Sequence, residues 1–280
     1  MVEERGEPPA PPPSGIPERP PAREGTNWLA WLDVIKAFGL WILSVLILGV
    51  VPILVAAPYL IYKVSVFGQA AILPDALKSD KMLIFYSVIG IIPAHVLTLY
   101  LAYLVVTEGG RRPFWKSIRW EWPAGLTPTI VTLLSILTAV VLYGVAFGVT
   151  SLYGGEKTDL DMLIESSAYT RVATAFIAFA TAPLIEEVIY RGVVYPAVEK
   201  VLGMGFAITV VSLLFAGVHV FQYRSNIAVI LVITLLSITL TVARAVTGKL
   251  LPSFIIHLIF NGVQSVLIVL APFIDKTPGK

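Results

Sequence analysis

Seven predominantly apolar runs punctuate the chain, at Val34–Ile61, Met82–Val106, Gly125–Leu152, Arg171–Ala197, Gly205–Val220, Ile227–Val246 and Leu251–Phe273. A hydrocarbon core about 30 Å thick needs roughly 20 apolar residues at about 1.5 Å each. In lipid, backbone polar groups must be satisfied within each segment, so runs of this length read as membrane helices. The pattern predicts an all-α fold, a polytopic transmembrane helical bundle of about seven (six to eight) helices. The first run is long and contains Pro52 and Pro58, so it is expected to kink or divide.

Polar segments between the runs complete the organisation. The first 25 residues hold eight of the twenty prolines and no apolar face, which predicts a disordered tail over 1–27. No signal-peptide pattern precedes the first run, which is therefore expected to stay in the chain. Residues 28–164 are expected to form membrane helices with an interfacial loop, 165–273 a core carrying the chemistry, and 274–280 a C-terminal tail. In the loop after the second run, Trp115, Trp120 and Trp122 alternate with Arg111, Arg112, Lys116 and Arg119, a composition suited to the headgroup region. The loop after the third run is acidic, with Glu156, Asp159, Asp161 and Glu165 against Lys157. A modest excess of Lys and Arg on the N-terminal side predicts a cytoplasmic N-terminus, and a multi-pass protein of a bacterial cell membrane is expected.

Composition narrows the chemistry. Hydrophobic residues make up 57% and charged residues 14%, so lipid is the expected solvent and partner. A formal net charge of +2 offers no basic platform for nucleic acid. With no cysteine there is no thiol nucleophile, thiolate metal site or disulfide. No Gly-x-Ser-x-Gly element occurs, no HExxH helix occurs, and no aspartate lies within a run after Asp33.

Charged groups at the bilayer centre cost at least about 2.5–3.5 kcal/mol, so those inside the runs need partners or a purpose. The fourth run contains Glu186-Glu187-Val188-Ile189-Tyr190-Arg191. Glu187 and Arg191 are one helical turn apart and can pair, while Glu186, about 100° round the helix, is free for another role. Pro183 is expected to kink the helix just before this pair. The fifth run contains Phe215-Ala216-Gly217-Val218-His219, and the seventh His257-Leu258-Ile259-Phe260-Asn261, with Gln264 extending the same face. Two carboxylates, a guanidinium, two imidazoles and an amide suffice to polarise water and cradle a developing oxyanion. His95 has no partner at helical spacing and reads as structural. Arg171 and Arg244 are expected to snorkel from span ends, and Gly217 and Gly262 to serve packing.

The ordered trio EExxxR, FxxxH and HxxxN resembles the CPBP family of intramembrane endopeptidases, also called the Abi or type II CAAX prenyl protease family, which includes the Ras-converting enzyme. The similarity covers roughly Glu165 to Ala271. It implies that Glu186 and His219 activate the attacking water, that His257 and Asn261 stabilise the oxyanion, and that Glu187 and Arg191 position the site. The implied substrate is a membrane-associated peptide or protein, prenylated or not. No cofactor is required on that reading. The rival keeps the fold and makes Glu186, His219 and His257 the ligands of a zinc ion. Other rivals are a non-catalytic scaffold or bacteriocin immunity protein and, ranked low, a transporter.

Overall fold

Helices form where the apolar runs predict them. A computed structural model describes residues 27–153 and 156–274, so the expected tails lie outside the described residues apart from Asn27 and Ile274. In chain order the helices are α1 (Asn27–Phe67), α2 (Pro74–Ser79), α3 (Lys81–Ile89), α4 (Ile91–Val106), α5 (Phe114–Ser117), α6 (Pro128–Tyr153), α7 (Asp159–Ser166), α8 (Ala168–Phe176), α9 (Ala182–Glu186), α10 (Tyr195–Leu202), α11 (Met204–Tyr223), α12 (Ile227–Thr247) and α13 (Leu251–Ile274). Two π-helical stretches, Ile177–Thr181 and Glu187–Val194, join α8, α9 and α10 into one rod. Six segments are long and apolar enough to cross a membrane, and Met204–Val220 supplies a shorter seventh. The protein is an integral, multi-pass, all-α membrane protein.

The first span does not divide. α1 continues through Pro52 and Pro58, and the break falls instead in the second span, where α3 and α4 meet at Gly90. The reason is contact between backbones: a Cβ at Gly90 would lie 2.6 Å from the Cα of Pro52. Only glycine admits that approach.

Successive passes alternate in direction, and contacts at each end confirm the order. At one end Lys200 pairs with Asp33 at 2.8 Å, Lys249 pairs with Glu121, and Leu250 N–H donates to Arg119 O at 2.9 Å. At the other, Ser225 Oγ donates to Lys157 O at 3.0 Å. The Trp-rich loop does more than rest at an interface: Ile118 is fully buried, and Trp120 packs on Phe254 with ring centroids 4.7 Å apart. Lys249 holds the Glu121 carboxyl below its ordinary range. This surface tie is therefore present at neutral pH and lost as pH falls through the carboxylate range.

The buried core lies around the rod of α8 to α10, with Val188, Val194, Tyr195 and Val198 packed against Val211 and Phe215 of α11. Ile53, Ile61 and Phe147 are among the many large apolar side chains left outside, as a lipid-facing surface requires.

Prolines explain the rod's two π stretches. Pro183 lies two residues beyond the first and Pro196 two beyond the second, and each lacks an N–H and crowds the carbonyl of the preceding turn. Ala182 N–H reaches back to Ile177 O, and Tyr195 N–H to Tyr190 O, in the wider five-residue spacing. Continued one residue, that spacing would have Pro183 bond Ala178 O and Pro196 bond Arg191 O, which neither can do. Each of those carbonyls takes a side chain from another helix instead. Asn261 Nδ2 donates to Ala178 O at 2.9 Å, and Arg244 Nε donates to Arg191 O at 3.2 Å. Arg244 accordingly does not snorkel: it is 3% exposed and stands over the Tyr195 ring. Gly217 makes no packing contact, having nothing within 4 Å of a Cβ position, whereas the Phe179 ring lies 3.3 Å from one at Gly262.

Replacing Arg244 with Met removes the side-chain donor to Arg191 O, and should destabilise the folded protein by about 1–2 kcal/mol. Adding Pro196→Ala restores a backbone N–H and should recover part of that loss, read as the midpoint of thermal unfolding in detergent.

Candidate active site

Arg191 is the first residue to place, because it is fully buried and always charged. Each of its nitrogens finds an acceptor. Nη1 donates to Glu187 Oε1 at 3.2 Å, Nη2 to Ser237 Oγ at 2.8 Å and Ser237 O at 3.2 Å, and Nε to Thr241 Oγ1 at 3.2 Å. The Phe215 ring covers the guanidinium, its centroid 4.6 Å from Cζ. The expected pairing of Glu187 with Arg191 is present, and α12 supplies the remaining partners.

Glu187, also fully buried, accepts a second hydrogen bond from His257 Nδ1 at 3.0 Å. On the other side of the same imidazole, Nε2 lies 3.4 Å from Glu186 Oε2. The adjacent glutamates thus point apart, as a helix requires, and meet again across one ring. Their surroundings differ: the Glu187 side chain is sealed, while that of Glu186 is 23% exposed and opens on a cavity of about 590 Å³.

The same cavity brings in His219, His257, Asn261 and Gln264. His219 sits near the far end of α11, with Nδ1 2.7 Å from Phe215 O of its own helix and its ring stacked along Tyr223. Phe215 touches both imidazoles, with centroids 4.8 Å from His219 and 5.9 Å from His257. Asn261 gives one amide hydrogen to Ala178 O and retains a second. The predicted site residues thus adjoin one cavity beside the irregular part of the rod. Glu186, His219, His257 and Asn261 line the cavity, and Glu187 with Arg191 stands behind.

A metal would have to use Nε2 of either histidine, since each Nδ1 is engaged. Among the described residues, no three His, Asp or Glu side chains gather into a group able to hold a metal ion.

Residues 168–263 match the family model described as type II CAAX prenyl endopeptidase Rce1-like. This segment is similar to that family over about a third of the chain. It contains Arg191, Glu187, His257 and Glu186 together with His219 and Asn261. No curated protein and no solved structure matches the chain. The Rce1-like match leaves the cavity wall supplied by α1, α4 and α6 outside its bounds.

Sequence reading missed two sets of residues. Ser237 and Thr241, one turn apart in the sixth span, anchor Arg191, and their spacing in an otherwise apolar run was the available signal. His95 is 5% exposed on the cavity wall and meets Thr181 Oγ1 at 2.8 Å, a partner 86 residues away that no local spacing could reveal.

Breaking the buried pair from one side strands a charge. Arg191→Met should destabilise by about 3–5 kcal/mol, and Arg191→Lys should not restore it, because one ammonium cannot span acceptors on two helices. Chemical or thermal unfolding of the purified variants in detergent measures both.

Proposed function

We propose that the protein is an intramembrane endopeptidase that hydrolyses a peptide bond of a membrane-associated polypeptide, CAAX-type and prenylated or not, with water activated by Glu186 and His219. The observation that carries this reading is the continuous chain of contacts from Arg191 through Glu187 and His257 to Glu186, ending at the cavity.

The chemistry follows from proton bookkeeping along that chain. In the proposed resting state His257 carries a hydrogen on each ring nitrogen and gives that of Nδ1 to Glu187, which Arg191 holds. His257 Nε2–H then faces Glu186, and with both glutamates ionised the four groups sum to zero charge. Water in the cavity gives its proton to Glu186 as its oxygen attacks the scissile carbonyl, and His219 Nε2, unprotonated when Nδ1 donates to Phe215 O, orients that water. Once Glu186 is neutral it no longer holds His257 Nε2–H. That hydrogen, together with the second amide hydrogen of Asn261, is then available to the new oxyanion. The donors strengthen only as charge develops, which is the condition for lowering the barrier. Glu186 finally returns its proton to the leaving amine. The 3.4 Å between His257 and Glu186 is long, as resting-site hydrogen bonds often are before substrate binds.

Cavity composition supports a peptide substrate. Ile185, Val218, Val232 and Leu236 give an apolar wall, and the polar groups cluster along the rod. A transporter would need a polar path through the bundle, and the polar side chains named here collect around one chamber.

The test is cleavage by the purified protein in lipid vesicles of a peptide library that includes farnesylated C-terminal sequences, followed by mass spectrometry. Glu186→Gln should lower kcat by at least about 10²-fold, the lower range for removing a general base, with folding unchanged. Chelator should leave the wild type active. Loss of activity with chelator would favour the zinc reading, and cleavage retained by Glu186→Gln would reject Glu186 as the base.

A further inference from the structure

The cavity has a third imidazole that the charge chain does not use. His95 lies in the first turns of α4, which packs against the first π stretch and against α9, the turn that carries Glu186. Its ring is held in one orientation. Thr181 Oγ1 donates its own hydrogen to Ile177 O at 3.3 Å, so the 2.8 Å contact with His95 Nδ1 is one in which the imidazole donates. That assignment, made from the hydrogen-bond network, leaves Nε2 with its lone pair. Nε2 has no hydrogen-bond partner among the described residues, and the ring lines the same chamber as Glu186, His219 and Asn261.

An extended peptide in this chamber has a specific need. Its backbone N–H groups leave water or headgroups for a largely aliphatic wall, and each one left without an acceptor is costly. The wall offers few acceptors besides the amide oxygens of Asn261 and Gln264 and the hydroxyls of Ser44 and Tyr143, whose hydrogens go to backbone carbonyls. The imidazole nitrogen of His95 is an acceptor held in a fixed direction near Glu186 by its bond to Thr181.

We propose that His95 is a substrate-binding residue of this site, its Nε2 accepting a hydrogen bond from a backbone N–H of the bound peptide close to the bond that Glu186 attacks. The proposal rests on the peptidase reading above. Thr181 is the positioning residue that sets the tautomer, and it is the last residue of the first π stretch, two before Pro183.

The experiment uses the full chain in lipid vesicles with a farnesylated CAAX-type peptide and a series of its depsipeptide analogues, each with one backbone N–H near the scissile bond replaced by an ester oxygen. Binding is measured in a Glu186→Gln background, which isolates affinity from turnover, and cleavage kinetics in its absence. His95→Ala should raise KM about tenfold with a smaller effect on kcat, the scale of one lost hydrogen bond in a dry site. One ester position should weaken binding about tenfold when His95 is present and have no effect in His95→Ala. His95→Gln, which keeps an acceptor near the Nε2 position, should recover part of the affinity. If His95→Ala does not fold, Thr181→Val carries the same ester comparison, with Thr181→Ser as its rescue.

Equal sensitivity to every ester position with and without His95, at unchanged KM, overturns the proposal and leaves His95 as packing. Absence of cleavage of every peptide by the folded wild type overturns the peptidase reading itself, and the role of His95 with it, whereas cleavage by Glu186→Gln at the wild-type rate rejects Glu186 as the base. Loss of cleavage in Glu186→Gln with full retention in His95→Ala rejects only the present inference.

Discussion

A guanidinium sealed from both water and lipid is the constraint around which the bundle is arranged. Arg191 cannot lose its proton, so every hydrogen it points into the interior must meet an oxygen. Meeting that demand draws α12 against the rod through Ser237 and Thr241, brings Phe215 of α11 over the guanidinium face, and fixes Glu187 as its counter-ion. Glu187 in turn orients His257 of α13. Three neighbouring helices are thus held to one residue of the fourth span. The pair is weak evidence for net stability, since desolvating two charges offsets much of their attraction. Its value lies in specifying one arrangement of helices that lipid, indifferent among apolar surfaces, would not select.

The two prolines of the rod act in the same direction. By interrupting the backbone ladder they open two carbonyls in the middle of a membrane, where neither water nor lipid can answer them, and the answers come from Asn261 and Arg244 on separate helices. A local defect becomes an interhelical tie. The π stretches that accompany the prolines also bracket Glu186, so the irregular backbone and the cavity-facing carboxylate occupy the same few residues. Asn261 consequently has two duties on one amide, a structural bond to Ala178 and a remaining hydrogen facing the chamber.

The chamber joins polar groups from the segment that matches the Rce1-like model to walls from outside it. Ser44, Leu48 and Gly49 of α1, His95 of α4 and Tyr143 of α6 complete the lining. The segment that matches the family therefore carries the charge chain, and the remaining helices supply much of the surface a substrate would meet. On the proposed peptidase reading, specificity is expected to reside in those walls, because the rod's polar groups would address features common to any peptide bond.

Hydropathy and spacing by themselves determined the class of the protein, the positions of its spans, and the Glu187–Arg191 pair, because each depends on interactions within a helix or on a solvent that permits few alternatives. The three polar motifs were also legible, since ionisable residues in apolar runs are conspicuous. Long-range matters were not. Whether Pro52 divides the first helix depended on Gly90 in another, and whether Arg244 reaches an interface depended on a carbonyl exposed by Pro196. His95 showed no local partner because its partner, Thr181, lies in a different span. Only the tertiary structure decided that the two glutamates meet across one imidazole, because helical spacing fixes the direction in which a side chain leaves its axis and says nothing of which neighbour stands there.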